Sequence, residues 1–341
     1  MKEEIVSLLS PELVAEAANN WGATEKAALL DDVTNMVYEF QCRKERRILR
    51  LTHSSHHAED EIIGELDWVN FLIQQGVPAS RPLLSGKDRL TERYPVQDSY
   101  FVATVFPYAC GHFINEANPQ EWNPSLFQTW GQIMGRMHRV TKKYLPQHLR
   151  QKRPHWVEDD TLRNATRYLP IEQMQVAADL GELLAKYRYI TPTMDDYGLV
   201  HNDVNPTNFH INDGRITLFD FDDCAYNWFI NDIAVTMPLY SELFATVGWE
   251  AGLTEFLQWY MRGYERENHL DEGWLEYLPA SLRLQNIINL IACHQSNVPN
   301  SRYRSFYELV LKIYQHGHPL FSFDFRKAHK NLSEKYRETA F

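Results

Sequence analysis

Ile62, Leu66, Val69 and Ile73 fall on one helical stripe, so the pattern predicts a helix over 59–75 that Gly76-Val77-Pro78 ends. Before it, three short runs rich in Val, Tyr, Phe, Ile and Leu, at 27–31, 36–42 and 47–52, predict an antiparallel meander. The polar Arg43-Lys44-Glu45-Arg46 supplies the turn between the last two. Residues 2–20 read as helical, restarting at Ser10-Pro11-Glu12 with a serine N-cap and proline in the first position. A fourth strand is expected at 100–105, where Phe106-Pro107-Tyr108-Ala109-Cys110-Gly111 breaks it. This pattern predicts a small first lobe over 1–105, a hinge over 106–111 and a second lobe over 112–341.

The second lobe changes period. Phe127, Trp130, Met134 and Met137 repeat at three and four residues, as do Phe256, Trp259, Tyr260 and Tyr264, and both stripes read first as helix cores. The obvious β element here is a hairpin over 208–219, two β-prone runs flanking Asn212-Asp213-Gly214. The expected class is therefore α+β, a small antiparallel sheet with one inserted helix ahead of a larger, mostly helical lobe.

A chain of 341 residues, 44% hydrophobic and 13% aromatic, has enough material for two packed lobes. Cys42, Cys110, Cys224 and Cys293 are scattered without a CxxC pair, which argues for buried free thiols over a disulfide framework or zinc site. No apolar run approaches the ~20 residues of a membrane span, and Met1-Lys2-Glu3-Glu4 does not open a signal peptide, so a cytoplasmic protein without a membrane partner is expected. A formal charge of −11 disfavours nucleic acid and mildly favours a cationic or neutral small substrate.

Candidate chemistry concentrates on the hairpin. Its turn brings the start of the first strand beside the end of the second, so Asn208 and Asp220 should face one small volume. An amide oxygen beside a carboxylate suits a hard cation such as Mg²⁺, which takes the rest of its shell from water and phosphate. Asp203, just upstream, is placed to orient and deprotonate an attacking hydroxyl.

The spacing His201-x-Asp203-x4-Asn208, followed by Leu218-Phe219-Asp220-Phe221-Asp222 and Asn231-Asp232-Ile233-Ala234, resembles the aminoglycoside phosphotransferase and choline kinase family, small-molecule kinases with a protein-kinase-like fold. The resemblance spans 27–292. It implies Asp203 as catalytic base, Asn208 and Asp220 as magnesium ligands, ATP or GTP as co-substrate and a small-molecule hydroxyl as acceptor. It also implies that Asp232 ties the catalytic loop through backbone amides, where a helix N-cap is the simpler reading. His201 reads as a scaffold residue bonded to backbone.

The first lobe departs from the kinase pattern twice. Arg50 stands where a strand lysine usually grips the nucleotide phosphates, with Glu65 as its expected ion-pair partner and Asp67 on another face. The nucleotide loop around Asn35 has no glycine, and Asp31 and Asp32 precede it. Phe106 is expected at the adenine, with plain core packing as the alternative. His53, His56 and His57 ahead of Glu59, Asp60 and Glu61 read as a solvated loop before an acidic helix start, more simply than as a metal site.

Amine-bearing alcohols, sugars and aminoglycosides are the acceptor classes. Trp228, Trp259, Tyr260, Tyr264 and Arg283 are candidate pocket residues, and Asp222, Asp223 and Glu265 would favour a cation. The rival readings are a catalytically weak or inactive kinase-like regulatory protein, a protein Ser/Thr kinase of the same family, and a phosphatase using Asp220-x-Asp222 as nucleophile and acid. The last needs a parallel doubly wound sheet that this pattern does not predict.

Overall fold

The computed structural model describes residues 3–32, 34–147, 153–241, 249–295 and 304–330. They divide into two compact units. The first comprises Met1–Cys110 with Tyr144–Arg153 and Thr217–Asp222; the second holds Gly111–Lys143, Pro154–Ile216 and Asp223–Phe341.

In the first unit α1 (Glu3–Ser7) and α2 (Pro11–Asn20) precede β1 (Ala28–Asp31), β2 (Met36–Cys42) and β3 (Glu45–His53), then α3 (Glu59–Gln74), β4 (Glu92–Val96) and β5 (Ser99–Pro107). The Ser10 hydroxyl caps α2 by accepting the Leu13 N–H, with Pro11 in its first turn. Gly76 ends α3 at a φ of 82°, its N–H donated to the Ile73 carbonyl. The strands form one antiparallel sheet in the order β1-β2-β3-β5-β4. β4 is a strand the pattern did not predict: Glu92-Arg93-Tyr94-Pro95 lacks a β-prone run, and it is the hairpin partner β5 that holds it extended.

Strand alternation gives this sheet two faces. Leu49 and Leu51 of β3 join Phe40, Phe101, Val105 and Trp21 in the core shared with α2. The intervening Ile48 and Arg50 lie opposite Phe106 and Thr104 of β5. On that side Ile62 and Leu66 of α3 pack over Val102, with Phe106 partly buried against them. Arg50 thereby projects on the α3 side from the middle of the sheet.

The second unit is built of α4 (Pro124–Thr141), α5 (Asp160–Arg163), α6 (Ala165–Tyr168), α7 (Met174–Tyr187), β6 (Tyr197–Val200), β7 (Phe209–Asn212), β8 (Arg215–Leu218, whose end belongs with the first unit), β9 (Ala225–Trp228), α8 (Phe229–Thr236), α9 (Trp249–Tyr264), α10 (Leu278–Gln295) and α11 (Arg304–His316). β7 and β8 form the expected hairpin, and Asp213 and Gly214 take positive φ of 49° and 74°, as a type I′ turn requires. A second antiparallel pair, β6 with β9, was not expected, because its four-residue strands pair residues 25 or more positions apart. Gly111 follows the first unit's last strand and approaches β7 so closely that a Cβ there would lie 2.0 Å from the Ile211 carbonyl oxygen. Among the described residues no helix is long and apolar enough to cross a membrane.

Candidate active site

The loop between β6 and β7 is held by its own polar side chains. Fully buried His201 accepts the Asp203 backbone N–H on Nδ1 at 3.3 Å, a scaffold contact. Asn202 adopts a left-handed φ of 66°, a conformation asparagine tolerates. Its N–H is donated to Asp232 Oδ1 at 2.7 Å, and its side-chain oxygen accepts from Asn227 at 2.9 Å. Asp232 lies inside α8 and is not its N-cap, which is Trp228; its second oxygen is 2.9 Å from His138 Nε2, and both residues are wholly buried. Asp232 thus fastens the backbone next to Asp203 to a helix.

The Asp203 carboxylate accepts from Asn205 Nδ2 at 2.8 Å and Asn208 Nδ2 at 2.6 Å. Asn208 also donates to the Asp203 carbonyl at 2.9 Å. Its amide nitrogen is therefore committed to Asp203, which turns the amide oxygen, the donor a hard cation selects, away from that residue.

In the first unit Arg50 and Glu65, 4% and 1% exposed, form an ion pair at 2.6 Å. Burial works against the Arg50 cation, and Glu65, then Asp222 and Asp220, more than restore it. Asp220 is exposed, takes a left-handed φ of 60° and lies 3.8 Å from Arg50 Nη1. Such a conformation in a non-glycine residue is costly and recurs at functional sites. Phe221, next along, is buried edge-on to Trp68 at 5.7 Å. Phe106 is half-buried with the Arg50 guanidinium carbon 5.6 Å from its ring centre.

Asp222 overturns its expected part in cation recognition. It is 4% exposed, and its Oδ2 accepts from Asn35 Nδ2 and lies against His56 Nε2, both at 2.8 Å. Burial alone would raise its carboxyl, but the charges of His56, Arg50 and His57 hold it well below the usual carboxylate range. The solvated-loop reading of the histidines holds for exposed His56 and for the acidic helix start but is corrected for His53. His53 is buried between Ser55 and Ser99, and His56 and His57 face Asp222. Local sequence carried no signal of this, since His56 and Asp222 are 166 positions apart. Donor atoms of His56, His57 and Asp222 lie within 4.8 Å of one another, yet Arg50 stands 3.5 Å from the carboxylate and Arg153 stands 3.5 Å from His57. Two cations there make an ion-pair network a better account than a metal site.

The pocket candidates separate as well. Trp228, Tyr260 and Tyr264 are buried core residues, and Arg283 is exposed over the Phe321 ring at 5.4 Å. Cys42, Cys224 and Cys293 are buried free thiols, whereas Cys110 is exposed.

A buried cation–carboxylate pair between a central strand and the sheet's helix, with a His-x-Asp loop anchored to a helix aspartate, defines a phosphotransferase of the protein-kinase-like α+β class. A sequence profile of the Phosphotransferase enzyme family matches residues 27–280, and the chain belongs to that family. The amicoumacin kinase of Bacillus subtilis (strain 168) is 34% identical over 325 residues, covering 92% of this chain and 94% of its own length. A solved amicoumacin kinase in complex with AMP-PNP, Ca²⁺ and Ami matches with a TM-score of 0.86 at 32% identity, over 96% of this chain and 99% of that one. A microcompartment-associated aminopropanol kinase, 20% identical, shares the fold at a TM-score of 0.67 over 99% of this chain and 98% of its own.

Proposed function

We propose that this chain is a Mg²⁺-dependent kinase that transfers the γ-phosphate of ATP to a hydroxyl of a small, amine-bearing molecule, with amicoumacin the first acceptor to try. The observation that carries this reading is the near full-length relation to an amicoumacin kinase, at 34% identity over 92% of the chain. Asp203, Asn208 and Asp220 supply the residue types such a reaction needs, which favours an active enzyme over an inactive scaffold.

For a divalent cation, Asn208 would offer an amide oxygen and exposed Asp220 a carboxylate, both of the hard type magnesium takes. Bound magnesium would neutralise phosphate charge. Arg50, a permanent cation whose buried Nε has no hydrogen-bond partner, suits phosphate oxygens; Glu65 holds it in place. Asn35 belongs to the nucleotide loop and Phe106 borders the base. Asp203, aligned by Asn205 and Asn208, takes the proton of the acceptor hydroxyl, so the chain's contribution is positioning and charge rather than covalent chemistry. In this reading 1–105 is the nucleotide-binding lobe, 106–111 the hinge and 112–341 the catalytic and acceptor lobe, working in the cytoplasm where ATP is at hand.

The test is release of ADP with Mg²⁺ and ATP or GTP across amicoumacin, aminopropanol, ethanolamine, choline, spectinomycin and neutral sugars. Turnover that requires both metal and an amine-bearing acceptor is expected. Turnover on neutral sugars alone would overturn the acceptor class, and none on any acceptor would overturn the kinase reading.

A further inference from the structure

The two departures of the first unit from the kinase pattern, an arginine in place of lysine and a nucleotide loop without glycine, end on one carboxylate. Asp222 Oδ2 accepts the Asn35 amide at 2.8 Å, and its Oδ1 faces Arg50 Nη1 at 3.5 Å. His56 Nε2 lies 2.8 Å from Oδ2, and the Asp222 backbone carbonyl accepts Arg153 Nη2 at 2.6 Å. We propose that Asp222 is a positioning residue for the nucleotide, holding the second arm of Arg50 and pinning the glycine-free loop through Asn35. The proposal rests on the reading of Arg50 and Asn35 as nucleotide contacts.

The chemistry of the side chains supports it. A lysine is a single point charge and would serve one acid; the arginine fork reaches Glu65 with Nη2 and the side of Asp222 and Asp220 with Nη1. Arginine at this place and a buried acid in the Asp220-Phe221-Asp222 segment are therefore matched features. The loop follows the same logic. A glycine-rich loop reaches phosphate through conformational freedom, at an entropic cost when it orders. A loop tied by a buried, charge-assisted hydrogen bond is ordered before the ligand arrives, which reduces that cost on binding. Buried Phe221 and Asp222 also fix the short segment from which Asp220 emerges exposed.

The test uses the full chain with Asp222→Asn, Asn35→Ala and the double substitution, titrated with Mg·AMP-PNP by calorimetry, while hydrogen exchange is followed in the Thr34–Tyr38 peptide. Asp222→Asn is expected to weaken binding about tenfold and Asn35→Ala about threefold, with the double variant no weaker than Asp222→Asn because both remove one interaction. Exchange in the peptide should rise in each variant. Exchanging the partners, Asn35→Asp with Asp222→Asn, should restore the loop's protection, which a general loss of stability would not. Wild-type binding with Asp222→Asn unchanged within about twofold, or fully additive losses, would overturn the positioning role. Failure of the wild type to bind Mg·AMP-PNP would instead overturn the nucleotide reading beneath it.

Discussion

Asp203, which we propose as the base, is held in place by its neighbours. Asn205 and Asn208 donate to its carboxylate, His201 accepts its backbone N–H, and the preceding Asn202 is tied to Asp232. Substitution Asp203→Asn keeps the size of the side chain but removes the proposed base, so kcat should fall by about 10²–10⁴-fold with KM for ATP little changed. Steady-state kinetics with an active acceptor checks this, and undiminished turnover would sink the assignment. At this scale the motif was legible because the loop residues lie within eight positions of one another, His201 to Asn208. His56, His57 and Asp222 were not legible, because their meaning comes from a partner more than 160 positions away, as the separation of 166 shows.

Helix pairing in the second unit depends on glycine. A Cβ at Gly131 of α4 would lie 1.9 Å from the Tyr260 carbonyl oxygen of α9, and one at Gly263 of α9 would lie 1.9 Å from the Gln128 carbonyl oxygen of α4. The two backbones therefore touch, which explains why the aromatic stripe at Phe256, Tyr260 and Tyr264 is core. Gly131→Ala should cost about 3 kcal/mol, the upper end for overpacking, read as a lower urea midpoint. Glu267, just beyond α9, holds Arg136 and Arg139 of α4 at 2.7 and 2.8 Å. The Arg136 hydrogen bond leads in pulling its carboxyl down from the ordinary 4.5 to about 2. A depressed carboxyl stabilises the fold fully above its unfolded value and loses that contribution as pH falls through the folded one. Glu267→Gln should therefore lower stability near neutrality, and its difference from wild type should shrink between pH 4.5 and about 2 in pH-resolved unfolding. The β7–β8 hairpin was legible from its Asn-Asp-Gly turn, a local signal, whereas β4 and the β6–β9 pair depend on partners that propensity does not encode.

For the whole molecule, a ligand that binds only the folded chain raises its stability by mass action, about 2.7 kcal/mol at a hundred times Kd. Mg·ATP should raise the melting temperature in a concentration-dependent way, and a chelator should remove most of that shift; a nucleotide effect indifferent to the metal would count against Asn208 and Asp220 as ligands. The sequence by itself determined the α+β class, the hairpin and the kinase-like residue set, because each is written in short-range periodicity, turn chemistry or spacing. Only the tertiary structure decided that Asp222 belongs with Arg50, Asn35 and His56, that Asp232 anchors a loop instead of capping a helix, and that Tyr260 and Tyr264 are core. Those outcomes are set by which faces are buried together, and burial turns an unremarkable carboxylate into one that must be paired.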